Sequence, residues 1–381
     1  MTRRELDVDV FTAAVDRMES LYKDGHRIVV SFSGGKDSGA VLEVCIIAAR
    51  NTGRLPVEVV TRDEEVDYPG TYEYSVRMWE RPETDMRWLI ANQPVVNCFN
   101  RREPYFWVYD PLLDPDDWMR PPPPFSEVIP EKNINGMVTA DRFPPAPGKN
   151  LYSVLGLRGQ ESNRRLMGLH NSGSFVTRTL VNGAYFARPI YDWTDGDVWL
   201  AHQMHHWDWN SAYDVMHRMG IDRNRLRIAP PTLSVAGAEK IQMAAKAWPS
   251  WFEKANKRLP GLRTVAMYGR RAIEPTRRFG ETWEQCYQRE CIDEAPPWIA
   301  ERAQRVKEVI VPRHSGHATG TLPEQVPCRH CTGGMGSWKK LTRIMYLGDP
   351  FATWCDYLGL KYVEPEFFRP GSGIWGGRPS F

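Results

Sequence analysis

The sequence predicts an α/β fold, a largely parallel sheet with helices on both faces, followed by a mainly helical C-terminal region. A short apolar, β-branched run at residues 27–32 leads into a glycine-rich loop and then into an apolar stretch with helical periodicity. This strand-then-helix pattern repeats up to about residue 91, which favours parallel strands joined by right-handed crossovers. Near residue 209 the pattern becomes mainly helical, so we expect two domains, 1–208 and 209–381.

Length and composition agree with this division and exclude several classes of protein. The chain has 381 residues, enough for about two domains with a core each. Its net charge is +2, from 49 basic and 47 acidic residues, so no overall electrostatic field points to nucleic acid. No apolar run reaches the ~18 residues of a membrane helix, and the N-terminus lacks the apolar core of a signal peptide. We therefore predict a cytoplasmic protein without a membrane partner.

Periodicity and turn residues give the first elements in order. An opening helix is predicted by apolar residues on one helical face, namely Phe11, Val15, Met18 and Tyr22. After it we expect strand 27–32, helix 39–50, strand 57–61, a helix ending near Arg81 and strand 87–91. Further along, strand 151–157 is expected, and then a hairpin that turns at Asn182-Gly183.

The loop between the first strand and its helix is the most informative stretch. Residues Ser33 to Ser38 read SGGKDS, and we call them the glycine loop. Its two glycines let the backbone approach an anion, while the N–H groups and dipole of the following helix favour negative charge. Lys36 adds a full positive charge, and the hydroxyls of Ser33 and Ser38 can donate to phosphate oxygens. The spacing is not that of Walker A. The loop predicts a nucleotide phosphate site, and an ordinary strand–turn–helix corner is the alternative.

Side chains at the ends of the neighbouring strands would share the same sheet edge. Asp63 follows the second strand, where a carboxylate could contact ribose, base or magnesium, or simply lie in a solvated turn. Arg158 and Arg165 follow strand 151–157, where guanidinium groups suit bidentate contact with phosphate or sulfate. The aromatic connection 92–117 could stack on a base or pack between layers. Residues 120–150, rich in proline and glycine, indicate an excursion from the sheet that could act as a lid.

A capping box at Thr194 and Asp197 predicts a helix that continues to Trp207. This helix carries His202 and His206 with i,i+4 spacing, but the glutamate expected of a metal motif is missing. We interpret these histidines as partly exposed polar residues.

The C-terminal region mixes arginines with aromatic residues. Its arginines are Arg218, Arg223, Arg225, Arg227, Arg263, Arg270, Arg271, Arg277 and Arg278. Such a mixture is either a solvated face or a surface that binds a polyanion such as nucleic acid.

Seven cysteines occur in the chain, and four of them form two close pairs near the C-terminus. Cys286 and Cys291 have four residues between them, and Cys328 and Cys331 have two. Two short pairs of thiolates can hold tetrahedral zinc or an iron–sulfur cluster. We expect these four cysteines to bind zinc, with a [4Fe–4S] cluster as the alternative ion site and buried free thiols as the alternative without metal.

Taken together, these stretches resemble the phosphoadenosine phosphosulfate (PAPS) reductase family of pyrophosphate-loop adenine nucleotide α-hydrolases. The family's first motif corresponds to the glycine loop, its second to Gly156–Arg165, and its third to Pro189–Trp199. A branch described as immunoglobulin-binding regulators is similar in looser motifs, here Asn97–Trp107 and Gly336–Lys340.

The resemblance implies a Rossmann-like, HUP-type sheet that binds ATP, or PAPS or adenylylsulfate (APS), with Mg²⁺. The nucleotide contacts it implies are Ser31, Ser33, Gly34, Gly35, Lys36, Asp37, Ser38, Asp63, Gly156, Arg158, Glu161 and Asp192. The catalytic residues it implies are Lys36, Asp37, Arg158 and Arg165.

One departure from the family limits what the resemblance implies. True reductases attack sulfur with a cysteine in a C-terminal tail, whereas the last cysteine here is Cys355 and the tail lacks that motif. Three interpretations stay open. The chain is an ATP-cleaving enzyme that adenylates an acceptor for sulfur transfer onto nucleic acid, a sulfonucleotide reductase, or a nucleotide-binding regulator without turnover that acts on a partner protein.

Overall fold

The computed structural model describes residues 7–91, 94–129, 137–161, 167, 173–228, 231, 235–317, 320–331, 336–350, 354–355 and 358–360. The chain divides into two compact units. Unit 1 comprises residues 1–91 and 122–229, and unit 2 comprises residues 92–121 and 230–381.

Unit 1 contains a parallel sheet of six strands, which confirms the predicted α/β fold class. In the part of the chain that the structure describes, the strands are β1 (Arg27–Phe32), β2 (Val57–Asp63), β3 (Thr84–Ala91), β4 (Pro94–Val96), β5 (Tyr105–Trp107), β6 (Glu127–Ile129), β7 (Leu151–Val154) and β8 (Ala184–Ala187). The sheet has the order β6-β3-β2-β1-β7-β8, and each neighbouring pair is parallel. The chain thus builds outward from β1 to one side and then to the other.

Among the described residues of unit 1, five α-helices accompany this sheet. They are α1 (Val10–Lys23), α2 (Lys36–Thr52), α3 (Thr71–Trp79), α4 (Asp195–Met204) and α5 (Ala212–Arg218). Asp9 caps α1 by accepting from the Phe11 and Thr12 N–H groups, and Gly53 ends α2 with a left-handed φ of +68°. The predicted capping box at Thr194 and Asp197 begins α4.

The stretch 120–150, predicted as an excursion, is partly an element of the sheet. Residues Glu127–Ile129 pair with β3 as the edge strand β6. Beyond them, Val138 and Phe143 are buried in the same apolar core as Val29 of β1. These described parts of the stretch therefore pack on the sheet. Burying their apolar side chains there is more favourable than leaving them exposed in a lid.

The predicted hairpin turn is confirmed, although only its second strand is regular. Asn182 and Gly183 have φ values of +53° and +79°, as a two-residue hairpin turn requires. Val181 forms a bridge with Ala184 across this turn, whereas residues 177–180 lie outside regular strand.

Unit 2 is mainly helical, as the sequence predicts. Its helices are α6 (Val235–Ala247), α7 (Pro249–Arg258), α8 (Leu262–Tyr268), α9 (Trp283–Tyr287), α10 (Pro297–Ser315) and α11 (Trp338–Met345), and a π-helix follows α9 at Gln288–Asp293. Its core includes Tyr287, Val306, Ile310, Trp338 and Leu341, all nearly inaccessible to solvent.

The aromatic connection after β3 belongs to unit 2, which differs from the predicted boundary at residue 208. β4 and β5 form an antiparallel pair, and the Asn97 side chain donates to the Pro260 carbonyl at 3.0 Å. The Tyr105 hydroxyl donates to the Pro350 carbonyl at 2.6 Å. These bonds and the burial of Phe106 make the aromatic side chains packing residues of the helical unit.

Among the described residues, no helix has the length and apolar character needed to cross a membrane.

Candidate functional site

The candidate site lies where the strand order of the unit 1 sheet reverses. β1 has β2 on one side and β7 on the other, and Val30 of β1 is in register with Val154 of β7. The glycine loop follows β1, and residues 155–161 follow β7. Because parallel strands end at one edge, the two loops lie side by side at a topological switch point, where open α/β sheets bind ligands.

The glycine loop has a conformation that requires glycine. Gly34 has a left-handed φ of +69°, and an added Cβ would lie 2.8 Å from Thr71 Cγ2. The Asn210 amide holds this turn from outside, because it donates to the Gly34 carbonyl at 3.1 Å and to Thr71 Oγ1 at 2.9 Å. A buried side chain far along the chain therefore fixes the start of the loop.

The N-terminus of α2 is directed at the site. Gly35 is the N-cap residue and provides no side-chain cap, so the first N–H groups of α2 need partners from elsewhere. Tyr213 supplies one, as its hydroxyl accepts from the Lys36 N–H at 3.0 Å. Burial raises the pKa of Tyr213, so its phenol stays protonated. The helix dipole adds partial positive charge at this end.

Two buried cations meet two carboxylates beside the loop. The Lys36 and Arg158 side chains are each less than 5% exposed. Lys36 Nζ lies 2.9 Å from Asp195 Oδ1 and 3.1 Å from Asp37 Oδ2. Arg158 Nε donates to Asp37 Oδ1 at 2.6 Å, and its Nη2 lies 3.3 Å from Asp195 Oδ1. The four charged groups thus form one network with no net charge.

Close backbone approach brings Arg158 to this network. A Cβ on Gly156 would lie 2.8 Å from the backbone of Asp37 and Ser38, so only glycine lets the chain after β7 touch the first turn of α2. Gln160 then links Arg158 to α4. Its Oε1 accepts from the Asp195 N–H at 2.8 Å and from Arg158 Nη1 at 3.4 Å.

The serines of the predicted site are bonded to one another and to nearby backbone. Ser38 Oγ accepts from the Ser33 N–H at 3.2 Å and donates to the Gly35 carbonyl at 2.9 Å. Ser31 Oγ lies 3.1 Å from Ser153 Oγ on the adjacent strand. Ser33 and Ser38 therefore shape the loop, whereas Ser31 links β1 to β7.

Two predicted carboxylate contacts have structural partners instead. Asp192 forms a bidentate ion pair with Arg17 of α1, at 2.9 and 2.6 Å, which anchors that helix. The acid that meets Lys36 is Asp195, three residues later, whereas the nucleotide contact at Asp192 stays a prediction. Asp63 accepts from Trp88 Nε1 at 2.9 Å and from the Glu65 N–H at 2.8 Å, and so holds the turn after β2.

Two residues of the second motif remain, Glu161 and Arg165, and the structure describes only the first of them. Glu161 Oε2 accepts from the Arg158 N–H at 3.2 Å, which stabilises the turn that presents the arginine. Arg165 lies outside the described residues. Asp195, Gln160, Asn210 and Tyr213 were not predicted, and only Asp195 and Gln160 lie within stretches that the motifs had marked.

His202 is buried against the loop, which corrects its interpretation as an exposed residue. Its ring is inaccessible to solvent, and Nε2 donates to the Lys36 carbonyl at 3.0 Å. Burial lowers the pKa of His202, and its Nδ1 has no hydrogen-bond partner among the described residues. His206, by contrast, is exposed.

Unit 2 contains a second group of side chains that could hold a metal. The ligand atoms of His314, His317, Cys328 and Cys331 lie within 4.8 Å of one another, and we call this group the Cys/His cluster. The predicted four-cysteine site is thereby corrected, because two histidines stand where Cys286 and Cys291 were expected.

Cys286 and Cys291 are core residues of unit 2. Both side chains are fully inaccessible, and the Cys291 thiol lies 3.6 Å from the Thr342 carbonyl. Burial raises the pKa of Cys286 to about 11, which is the behaviour of a buried protonated thiol.

Several arginines of the predicted basic surface are paired with acids. Arg263 lies 2.8 Å from Glu253, Arg270 lies 2.6 Å from Glu274, and Arg278 lies 3.1 Å from Glu294. These pairs neutralise the positive charge of the three arginines and lend no support to a nucleic-acid surface.

Comparisons with known proteins give only distant similarity. No family model matches the chain. The chain is 25% identical over 248 residues to a protein of Escherichia coli K12 named Uncharacterized protein YbdN, and the match covers 59% of each. The chain thus spans about three fifths of the length of this relative.

Solved structures with some likeness include two nucleotide-related enzymes of yeasts. FMN adenylyltransferase of Candida glabrata is 11% identical with a TM-score of 0.35, covering 56% of this chain and 62% of that chain. The PAPS reductase of Candida auris, in a phosphate complex, is 9% identical with a TM-score of 0.32, covering 60% of this chain and 98% of that chain. Scores this low carry no argument about function.

Proposed function

We propose that unit 1 binds ATP by its phosphates at the glycine loop and transfers the adenylyl group to an acceptor with release of pyrophosphate. In this reaction an acceptor oxygen bonds to the α-phosphorus, the bond from that phosphorus to the bridging oxygen breaks, and pyrophosphate leaves with the electron pair. The choice of an adenine nucleotide rests on the resemblance of the loop and the two later motifs to the adenine nucleotide α-hydrolases.

The convergence of Lys36 and Arg158 at the N-terminus of α2 is the observation that supports this proposal most. Both cations are almost fully buried, and their partners are the carboxylates of Asp37 and Asp195 at the same edge of the sheet. A buried cation retains its charge only when it is compensated. Phosphate oxygens can replace the carboxylates as partners and form shorter, bidentate bonds to Arg158. The developing charge of the leaving pyrophosphate would then be stabilised by groups already in place.

The same exchange suggests where magnesium would bind. Once phosphates engage the two cations, Asp37 and Asp195 have oxygens available for a hard cation, which prefers carboxylates and phosphate oxygens. Their present ionic contacts to Lys36 and Arg158, at 2.6–3.3 Å, fit residues that face positive charge. Magnesium at this position would neutralise charge on the phosphates.

The cysteines do not favour the alternative of a sulfonucleotide reductase. Cys45 in unit 1 is fully buried, and burial raises the pKa of its thiol. In unit 2, Cys328 is the only cysteine with appreciable exposure, and it belongs to the Cys/His cluster. A reductase needs a reactive thiolate that can reach the sulfonucleotide.

The reaction products test the proposed function. Wild-type protein in the presence of magnesium should convert ATP to pyrophosphate and an adenylylated acceptor when candidate acceptors with a nucleophilic oxygen, including nucleic acid, are supplied. AMP is released where a second nucleophile, such as an added thiol compound, displaces it from the acceptor. Phosphorus NMR distinguishes these products from ADP and phosphate. In Arg158→Lys the charge remains but the planar fork is lost, so we expect turnover to fall by about 100-fold or more.

A matched arginine provides the control. Arg27 makes a bidentate pair with Glu58 at the amino end of β1, at 2.8 Å through Nε, and belongs to the same sheet. Arg27→Lys should leave turnover close to that of the wild type. Formation of ADP and phosphate, absence of pyrophosphate with every acceptor, or full activity of Arg158→Lys would contradict the proposal.

A further inference from the structure

The Cys/His cluster lies in unit 2 where two short chain segments meet. His314 and His317 come from the last turn of α10 and the residues just beyond it, with i,i+3 spacing. Cys328 and Cys331 come from the loop that precedes α11, separated by two residues. His314 and Cys331 are buried, whereas His317 is exposed and Cys328 is half-buried. The cluster is therefore buried on one side and accessible to solvent on the other, so a metal ion can enter it from solution.

Its interatomic distances fit tetrahedral coordination. Bonds of about 2.3 Å to sulfur and 2.0–2.1 Å to nitrogen, at tetrahedral angles, place sulfur and nitrogen about 3.5 Å apart. Cys331 Sγ lies 3.3 Å from His314 Nδ1 and 3.5 Å from His317 Nε2. Cys328 Sγ lies 3.6 Å from the same Nε2 atom. These are the sulfur–nitrogen edges expected around one ion.

Hydrogen bonding alone accounts poorly for this arrangement. A thiol has a single proton to donate, yet Cys331 Sγ has an imidazole nitrogen on either side and His317 Nε2 has a sulfur on either side. His317 Nε2 has either one proton or one lone pair, so it can make a full hydrogen bond with only one of its two sulfur neighbours. A shared cation satisfies all four ligand atoms at once.

The backbone closes tightly around the cysteine pair. The Cys328 N–H donates to the Gly336 carbonyl at 2.9 Å, and the Cys331 N–H donates to the Cys328 carbonyl at 3.3 Å. An added Cβ on Gly336 would lie 2.5 Å from Cys331 Cβ and 2.7 Å from its Sγ. Glycine at this position lets the chain return directly over both cysteines and fixes the direction of their sulfur atoms.

We infer that His314, His317, Cys328 and Cys331 bind one zinc ion. Two thiolates and two imidazoles form a closed tetrahedral shell without an open position for water, which is typical of structural zinc. A four-iron cluster takes four thiolates, and a two-iron cluster with this composition carries both histidines on one iron. Here each histidine meets a cysteine sulfur directly, so a single ion fits and a two-iron cluster does not.

The ion connects the end of α10 to the core of unit 2. Leu322 and Trp338, on either side of the cysteine loop, belong to the same apolar core as Val306 and Ile310 of α10. The Trp338 N–H donates to the Pro323 carbonyl at 2.9 Å, where α11 begins. Zinc would thus fix the cysteine loop to the end of α10, a use that is independent of the nucleotide chemistry proposed for unit 1.

Metal analysis with X-ray absorption spectroscopy tests this inference on the full chain. Protein expressed with zinc and then desalted should contain about one zinc per chain. Its absorption spectrum should require two sulfur atoms at about 2.3 Å and two nitrogen atoms at 2.0–2.1 Å. Four sulfur atoms, iron, or a stoichiometry well below one would overturn the assignment, whether or not the protein turns over ATP.

Matched substitutions identify the ligands. Cys328→Ser and His317→Ala, at partly exposed positions, should lose at least tenfold in zinc affinity. His330→Ala alters an exposed histidine between the two cysteines, and Cys286→Ser alters a thiol of the other pair, so both should retain full zinc. Retention by Cys328→Ser, or loss in Cys286→Ser, would overturn the inference. Should a variant fail to fold, the spectrum of the wild type still decides the ligand set.

Discussion

The glycine loop and the Cys/His cluster differ in how far their residues are separated along the chain. The glycine loop is six consecutive residues, three that follow β1 and three in the first turn of α2, so the local strand–turn–helix geometry alone produces its main features. The Cys/His cluster instead combines the end of a helix with a separate loop, and its geometry depends on the packing of unit 2. A contiguous motif can be interpreted from sequence, whereas a site assembled by packing can be interpreted only in part.

Metal removal is expected to produce the largest contrast between the two regions. After chelation, amide hydrogens held by the cluster, such as those of Cys328 and His317, should exchange about 100-fold faster or more, equivalent to roughly 2.8 kcal/mol. Amides of α2 and β1 should keep their protection, since their hydrogen bonds lie within unit 1. Hydrogen-exchange mass spectrometry measures both regions at once. Equal loss of amide protection in the two regions, or no loss in either, would contradict the claim that the metal stabilises only the cluster in unit 2.

Gly156→Ala tests whether close backbone approach forms the nucleotide site. The new Cβ would meet the backbone of Asp37 and Ser38 at 2.8 Å, so the two loops must separate. We expect a loss of about 1–3 kcal/mol in the free energy of unfolding. ATP affinity should fall as well, because Arg158 moves away from Lys36.

Gly196→Ala is the control for this substitution. Its nearest neighbour would be Thr194 Oγ1 at 3.5 Å, an ordinary contact in the first turn of α4. Denaturant titration and ATP calorimetry should show no loss in this variant. Equal behaviour of the two alanine variants would mean that the approach at Gly156 is unimportant.

His202→Gln should change the pH dependence of the free energy of unfolding, an effect smaller than those expected for metal removal and for Gly156→Ala. Because the pKa of His202 is lowered on folding, mainly by burial, the unfolded state binds more protons below about pH 6.5. Wild-type stability should therefore fall as pH decreases from about 6.5, by about 1.4 kcal/mol for each unit by which the pKa is lowered. Lys36, Asp37 and Glu43 also act on this ring.

Glutamine can keep the bond to the Lys36 carbonyl without titrating, so His202→Gln should lose less stability on acidification. Denaturant titrations of both proteins at pH 5 to 8 measure the difference. Parallel curves would show that His202 does not contribute to the pH dependence.

The sequence predicts the parts of the site that local structure determines. The positions of Lys36 and Arg158 at adjacent strand ends follow from apolar strands, a glycine turn and the parallel order. The choice between Asp192 and Asp195 could not be predicted, because it depends on which acid faces Arg17 of α1 and which faces the loop. Asn210 and Tyr213 carry no motif, and only the folded chain brings them to the glycine loop.

The same limit applies to the predicted four-cysteine metal site. Cys328 and Cys331 were identified because a two-residue spacing directs both thiols from one turn. Cys286 and Cys291 have a similar appearance in the sequence, but they point into the core of unit 2. His314 and His317 form a short pair with two residues between them, ahead of Cys328 and Cys331, and this spacing is the signal that is missed when the cysteines alone are considered.

Calorimetric titration with ATP tests the central claim most directly. Lys36→Ala removes a buried ammonium that would bind phosphate, and Lys23→Ala, which removes an exposed lysine of α1, is the control. We predict that Lys36→Ala weakens ATP binding by about 1.5–3 kcal/mol, or roughly 10- to 100-fold, while Lys23→Ala binds like the wild type. An unchanged dissociation constant in Lys36→Ala, or no ATP binding by the wild-type protein, would contradict the assignment of the glycine loop as a nucleotide phosphate site.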